Sequence, residues 1–151
     1  MDKKTGNAVK RARILTGYSQ EKAAEMSGYS VDSIQAWEAG TRRASVEALD
    51  TLALCYNAPW LAGMYLRELS QGSFADTIPE FTPGEPLPQT VAALLHHMYA
   101  FCDRHSDRRL LAIAADGKVT DEEQPEFEAI KEDLQAIIQA AIEVRYSRVK
   151  E

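Results

Sequence analysis

The stretch GYSVDSIQAWEAGTRR, residues 28–43, decides the fold of this chain. It predicts a short helix over VDSIQAWEA, because the Ser30 hydroxyl can cap the first turn and Gly40 can end the last one. The preceding segment QEKAAEM, residues 20–26, has a similar length and is followed by Gly28. Two short, separately capped helices joined by a glycine-containing turn are therefore expected here.

Helical patterns continue on both sides of this helix pair. Apolar residues recur at helical spacing as far as about residue 69, and no segment alternates polar and apolar residues as a half-buried strand does. The chain is therefore predicted to be all-α, with about five short helices in its first half. A short helix pair of this kind, joined by a tight turn, is typical of a helix-turn-helix.

Residues 6–69 resemble the Cro/C1-type helix-turn-helix transcriptional regulators, the XRE family, which includes phage repressors. The resemblance implies a five-helix, lambda-repressor-like DNA-binding domain, which we place at residues 1–69. The matching residues are Arg13, Ser19, Gln20, Ala24, Gly28, Ser30, Ile34, Glu38, Gly40, Arg42 and Arg43.

The resemblance also implies which residues would touch DNA, because the second helix of the motif enters the major groove with its N-terminus first. The side chains expected to face the bases are Ser30, Val31, Asp32, Ser33 and Ala36, with Gln35 nearby. Gln20, at a helix N-terminus, is expected to donate to a phosphate. Further phosphate contacts are expected from Lys10, Lys22, Arg42 and Arg43.

Asp32 is unusual in a helix that should lie beside phosphates. Its carboxylate could accept from a cytosine amine, or it could cap the helix N-terminus, where the helix dipole favours an acid. In either case it repels phosphate, so we expect a weak binder that depends on dimerisation.

Arg13 and Glu38 match a residue pair that forms a buried or half-buried ion pair in phage repressors of this family. That resemblance implies a tie between the first and third helices. The alternative is a solvated surface pair of little energetic value.

The charge of the chain is unevenly distributed. The formal net charge is −6, but residues 1–45 carry eight Lys/Arg against five Asp/Glu, a balance of +3 that leaves −9 for the rest. A basic front and an acidic rear suggest two functions on one chain. The two isolated cysteines, Cys55 and Cys102, favour a reducing cytoplasm, and neither a secretory signal nor a membrane span is expected.

A second helical region is predicted behind a Pro/Gly-rich linker at residues 70–88. Residues 89–151 are expected to form an antiparallel α-hairpin for dimerisation or partner binding. The second helix of this hairpin carries an apolar seam with coiled-coil spacing, and we assign the dimer contact to it. The seam residues are Phe127, Ile130, Leu134, Ile137, Ala141 and Val144.

Metal, cofactor and catalytic sites are not predicted. The histidines and cysteine at 96, 97, 102 and 105 lack metal-ligand spacing, and the calcium-loop-like DGKVTDEE segment has Ala112 and Ala114 where oxygen ligands are needed. No catalytic motif is recognisable, so an enzyme is not expected.

The sequence therefore predicts a cytoplasmic DNA-binding transcription regulator, acting as a homodimer on a short palindromic operator. The alternative is a protein-interaction module, antitoxin-like or an adaptor, that keeps the helix-turn-helix fold with weak or no DNA binding. A protein partner or a small-molecule ligand at the C-terminal helices is a further possibility that the sequence leaves open.

Overall fold

The computed structural model describes residues 6–70 and 73–149. The first five residues, which contribute to the basic balance, lie outside the described residues, as do residues 71, 72, 150 and 151. Within the described ranges the chain is helical, and an isolated bridge between Pro86 and Arg148 is the one β-type pairing. The chain divides into two compact units, residues 1–78 and 79–151. None of the described helices combines the length and apolarity needed to cross a bilayer.

The first unit contains six helices in the described residues. They are α1 (Ala8–Thr16), α2 (Gln20–Ser27), α3 (Val31–Ala39), α4 (Val46–Cys55), α5 (Leu61–Leu69) and α6 (Ser73–Thr77). Three of them begin at a serine, Ser19, Ser30 or Ser45, whose hydroxyl accepts from the backbone N–H three residues later. Gly28 and Gly40 end α2 and α3 with φ of 76° and 75°, a left-handed conformation that favours glycine.

A well-filled apolar core holds α1 to α5 together. Its largest fully buried side chains are Val9, Ile34, Leu49, Leu52 and Leu61. Polar contacts also join α1 to α5. The Glu68 carboxylate on α5 accepts from the backbone N–H of Ala8 at 2.8 Å and pairs with Arg11, so that α5 caps the start of α1.

The second unit contains α7 (Leu87–Asp103), α8 (Ser106–Ile113), a 3-10 turn (Ala114–Asp116) and α9 (Gln124–Arg145). Helices α7 and α9 pack along each other. Their antiparallel register follows from contacts at both ends. Arg148 N–H donates to Glu85 O at 2.8 Å just before α7, and the Arg104 guanidinium pairs with Asp133 at 3.1 Å just after it.

Two features differ from the sequence-based expectation. Helix α6 lies inside the segment predicted as a linker, since it is short enough to end before Pro79. The predicted first arm of the hairpin is not one continuous helix. The chain turns at His105, which has φ of 57°, and α8 then continues as a separate helix.

Candidate nucleic-acid interface

Helices α2 and α3 form the predicted helix pair, and the sequence determines which face of α3 is outward. Ile34, Trp37 and Glu38 are buried beneath α3. At 100° per residue, positions 32 and 36 lie on the side opposite these three, and Gln35 lies at its edge beside α2. The first turn of α3 is capped by Ser30, whose Oγ accepts from the Ser33 N–H at 3.1 Å.

The Arg13–Glu38 pair is a two-bond, buried ion pair. Nε and Nη2 of Arg13 donate to the two Glu38 oxygens at 2.6 and 2.9 Å, and the side chains are 12% and 4% exposed. Arg13 also donates from Nη1 to the Tyr18 carbonyl at 2.7 Å. The hydrogen bonds that Arg13 donates to Glu38 stabilise the charged guanidinium and raise the pKa of Arg13 above its usual value. The pair fastens α1 to the underside of α3.

Gln20 occupies a different environment from the one expected of a phosphate contact. Its Nε2 donates to Oε2 of Glu38 at 2.9 Å, and its Oε1 accepts from Nε2 of Gln35 at 3.2 Å. The side chain that was predicted to donate to a phosphate therefore uses its amide to join the buried ion pair to α3. Gln20 and Gln35 are fifteen residues apart, and no sequence pattern indicates that two residues at this separation are in contact.

Asp32 lies exposed in the first turn of α3. Ser30 already caps this helix, because its extended backbone directs Oγ at the free N–H groups. No donor from the described part of the chain reaches the Asp32 carboxylate. Its neighbour Ser33 shares a hydroxyl hydrogen bond with Ser30 at 2.9 Å. Val31 and Ala36 are half-buried and present only apolar surface.

The four predicted phosphate-binding cations each occupy a different environment. Arg42 lies over the Trp37 ring, with Cζ 5.6 Å from the ring centre, which holds the guanidinium next to the end of α3. Lys22 pairs with Glu25 at 3.0 Å on the exposed face of α2. Arg43 is exposed in the loop after α3, and Lys10 is half-buried on α1.

Tyr56 lies in the core of the first unit and was not among the predicted site residues. Its side chain is 3% exposed, and its hydroxyl has no hydrogen-bond partner in the described structure. Burial, followed by the nearby Glu38 charge, raises the pKa of Tyr56 to about 12. The tyrosine ring meets Tyr18 edge-on at 6.4 Å.

The residues predicted for dimerisation lie on α9, and the structure distributes them over more than one environment. Ile130 is buried, Ala141 is exposed, and the other four are half-buried: Phe127, Leu134, Ile137 and Val144. Because α9 packs lengthwise on α7, most of this seam is used within its own chain.

An open cleft of about 500 Å³ lies between α8 and α9. Four of the five charged residues that line it are paired, Arg104 with Asp133 at 3.1 Å and Arg109 with Glu126 at 3.0 Å, and the fifth is Glu132. The cleft gives little support to a small-molecule site, because binding there would have to break these pairs.

Comparison with known protein families adds one finding. Residues 9–60 match the model of the helix-turn-helix family. No curated protein and no solved structure matches the chain.

The fold and the match identify residues 9–60 as a helix-turn-helix domain, of the DNA-binding kind found in transcription regulators. Within that class, these residues are similar to the Cro/C1-type domains of the XRE family.

Proposed function

We propose that this protein is a sequence-specific DNA-binding transcription regulator that acts as a dimer on a short palindromic operator. The observation that carries the proposal is the attachment of α3. Its inner face is fixed by Ile34, Trp37 and the buried Arg13–Glu38 pair, while Asp32 and Gln35 remain exposed. A rigid helix with an accessible N-terminal half is what insertion into the major groove requires.

The DNA contacts in this proposal fall into two groups. Base contacts come from the outward residues of α3 between Ser30 and Ala36, and phosphate contacts come from cations around it. Arg42 is the best-placed cation, because its stacking on Trp37 holds the guanidinium before DNA arrives. Lys10, Lys22 and Arg43 supply the remaining positive charge.

The affinity of one copy should be low. Asp32 repels phosphate and has no neutralising partner among residues 6–70 and 73–149, while the Lys22 charge is shared with Glu25. A dimer on a palindrome would compensate for this low affinity. Once α3 of one copy is bound, α3 of the other copy meets its half-site at a high effective concentration.

The partner that we propose for the second unit is a second copy of this chain. Four apolar residues of this unit are among the buried core, namely Phe81, Ile113, Ile130 and Ala140, against fifteen in the first unit. Helices α7 and α9 bury mainly the sides that face each other, and α8 contacts the layer near Glu126 and Asp133 of α9, so another part of the layer remains to be covered.

The uncovered face consists of Val91, Leu95 and Met98 on α7 and Ile138 on α9, and we call it the α7–α9 face. The three α7 residues follow i, i+4, i+7 spacing and are between 37% and 44% exposed, and Ile138 is 47% exposed. In the antiparallel register set by Arg104–Asp133, Met98 is level with Ile138. When two helices pack antiparallel, the residue that follows a position facing the partner helix points to the same side of the two-helix layer in both helices. The exposed apolar residues of α7 and α9 therefore share one side.

The size of the two-helix layer suits self-association. Helix α7 is about 25 Å long from its helix rise, and an interaxial spacing near 10 Å makes the layer about 20 Å wide, which is the scale of a small dimer interface. The exposed apolar residues from Val91 to Met98 occupy about 10 Å of that length. A twofold axis parallel to the helices would lay α7 of one copy over α9 of the other.

The alternative is a protein-interaction module, and the unpaired, exposed carboxylate of Asp32 favours it. In that case α3 would bind a basic surface of another protein, and DNA binding would be absent even at low salt. One property therefore distinguishes the two functions. A transcription regulator should have a DNA affinity that falls steeply as the salt concentration rises, and an interaction module should not.

The test is selection of random DNA duplexes by the purified protein at about 50 and about 200 mM salt, followed by sequencing. We expect enrichment of a two-fold symmetric sequence, a lower yield at the higher salt, and loss of affinity without a change of sequence in Arg43→Ala. A folded protein, verified by circular dichroism, that enriches no sequence at the lower salt would contradict the proposal.

A further inference from the structure

A chain of four side chains connects the core of the first unit to the surface of α3. Arg13 donates to Glu38, Gln20 donates to Glu38, and Gln35 donates to Gln20. Exposure increases along this chain, from the buried carboxylate of Glu38 at 4% exposed, through half-buried Gln20, to exposed Gln35. We call these four residues the relay.

The relay determines which way its two amides point. An ionised carboxylate only accepts hydrogen bonds, so Gln20 must present its NH₂ group to Glu38. Its carbonyl oxygen then lies on the other side, towards Gln35, and Gln35 must present its own NH₂ group in return. The orientation of the surface amide is therefore imposed by the buried ion pair rather than by solvent.

We propose that Gln35 is the specificity-determining residue of α3, that it reads adenine, and that Gln20 is the positioning residue that holds it. The proposal rests on the DNA-binding function proposed above and names the base that this site would recognise.

Adenine is the base that fits the groups left free on Gln35. One N–H of the side chain is used on Gln20, which leaves the carbonyl oxygen as an acceptor and the second N–H as a donor. In the major groove adenine presents an amine donor beside the N7 acceptor, and an amide matches both at once. The neighbouring polar side chains of α3 do not offer this pair, since Asp32 has acceptors alone and the Ser33 hydroxyl is bonded to Ser30.

Holding Gln35 in place before binding should contribute to discrimination. A free surface glutamine samples many rotamers, and fixing one of them on DNA opposes binding. Gln20 removes part of that cost, because it is itself held by Glu38 at 2.9 Å. Without Gln20, the amide of Gln35 could turn either its oxygen or its nitrogen towards the base, and the preference for adenine would weaken.

The experiment compares the base preferences of the full-length protein and four variants by selection and sequencing: Gln35→Ala, Gln20→Ala, the double variant, and Lys22→Ala as the control. We expect Gln35→Ala to reduce the preference for adenine about tenfold or more at one position per half-site and to leave the other positions unchanged. Gln20→Ala should weaken the same position, and the double variant should resemble Gln35→Ala alone. Lys22→Ala should lower binding to all sequences equally.

Two results of this selection would overturn the inference. One is a Gln35→Ala variant with unchanged base preferences. The other is a Gln20→Ala variant that loses affinity uniformly, since that is the behaviour of a phosphate contact.

A measurement without DNA separates failure of the relay from failure of the proposed function. The ¹⁵N order parameters of the Gln35 side-chain amide should be high in the wild-type protein and fall in Gln20→Ala. A Gln35 amide that is already mobile in the wild type would overturn the relay, whether or not any DNA sequence is enriched. A rigid amide in a protein that enriches no sequence would leave the relay intact and refute the assignment of Gln35 to adenine together with the proposed function.

Discussion

Tyr56 shows how a single buried hydroxyl can oppose stability. Its hydroxyl is enclosed without a partner, and burial of an unsatisfied polar group costs about 1–3 kcal/mol. We expect Tyr56→Phe to raise the free energy of unfolding by about 1 kcal/mol at pH 7, because the ring keeps its contact with Tyr18 and the orphan group is removed. Chemical denaturation of both proteins measures this; a loss of stability would indicate a hydrogen bond in solution.

The same residue predicts a pH dependence. The pKa of Tyr56 is about 12 in the folded protein, against an ordinary value near 10, so the folded state holds this proton more tightly than the unfolded state. Stability is therefore unaffected by this ionisation below about pH 10, and it falls as the pH rises from 10 towards 12, because the unfolded state loses this proton first. Denaturation curves between pH 9 and 12 should show this loss in the wild type and a smaller one in Tyr56→Phe. Equal losses in the two proteins would assign the effect to other groups.

Asp32 makes a prediction about affinity rather than stability. Its carboxylate forms no hydrogen bond or ion pair in the described structure, so Asp32→Asn should leave the free energy of unfolding within about 0.5 kcal/mol of wild type. Removal of the negative charge should raise the affinity for random-sequence DNA several-fold at low salt, with less effect at high salt. Fluorescence anisotropy at two salt concentrations measures the change. Unchanged DNA affinity at low salt would place this part of α3 away from phosphate.

At the scale of elements, the sequence predicts the helix-turn-helix well because its signals are local. Serine caps and glycine ends mark α2 and α3, and the structure begins α3 at Val31 and ends it at Ala39, as the pattern VDSIQAWEA indicates. The second unit was harder to predict. A hairpin of two helices was expected, but α8 stands between them, because the chain turns at a histidine and not at a glycine or proline.

That turn at His105 provides a prediction of its own. A residue with a Cβ atom in the left-handed region costs about 1 kcal/mol relative to glycine, and His105 adopts φ of 57° there. We expect His105→Gly to stabilise the protein by up to about 1 kcal/mol, less the greater chain entropy of glycine when unfolded. Thermal unfolding compares the two proteins, with His96→Gly inside α7 as a control that should destabilise by a similar amount. Destabilisation by His105→Gly would mean that its imidazole makes a contact of value.

In the candidate site, as in the fold, some contacts could be predicted from the sequence and others could not. The Arg13–Glu38 pair was expected from its place in the motif, and the structure brings the two residues together in the core. The contact between Gln20 and Gln35 could not be predicted, since it depends on the angle between α2 and α3. Sequence periodicity likewise identifies an apolar seam on α9 but not whether α7 or a second copy covers it.

At the scale of the whole molecule, dimerisation through the α7–α9 face is the main structural prediction. Leu95→Asp places a charge in the middle of this face and should weaken the dimer at least about tenfold, or about 1.4 kcal/mol. The matched control is Leu111→Asp, the same change at an exposed leucine of α8 outside the face. Sedimentation equilibrium measures the dissociation constants. A Leu95→Asp variant that dimerises like the control would remove this face from the interface.

The central claim is that the N-terminal half of α3 enters the major groove, and site-specific photocrosslinking tests it most directly. A benzophenone side chain placed at position 32 should crosslink to bases within the sequence that the wild-type protein selects. The same group at position 54, an 84% exposed site on α4, should form no crosslink to bases. Crosslinks to major-groove bases from position 32 alone are the predicted result. Retained DNA binding with no crosslink from position 32, or with base crosslinks from position 54, would contradict the account.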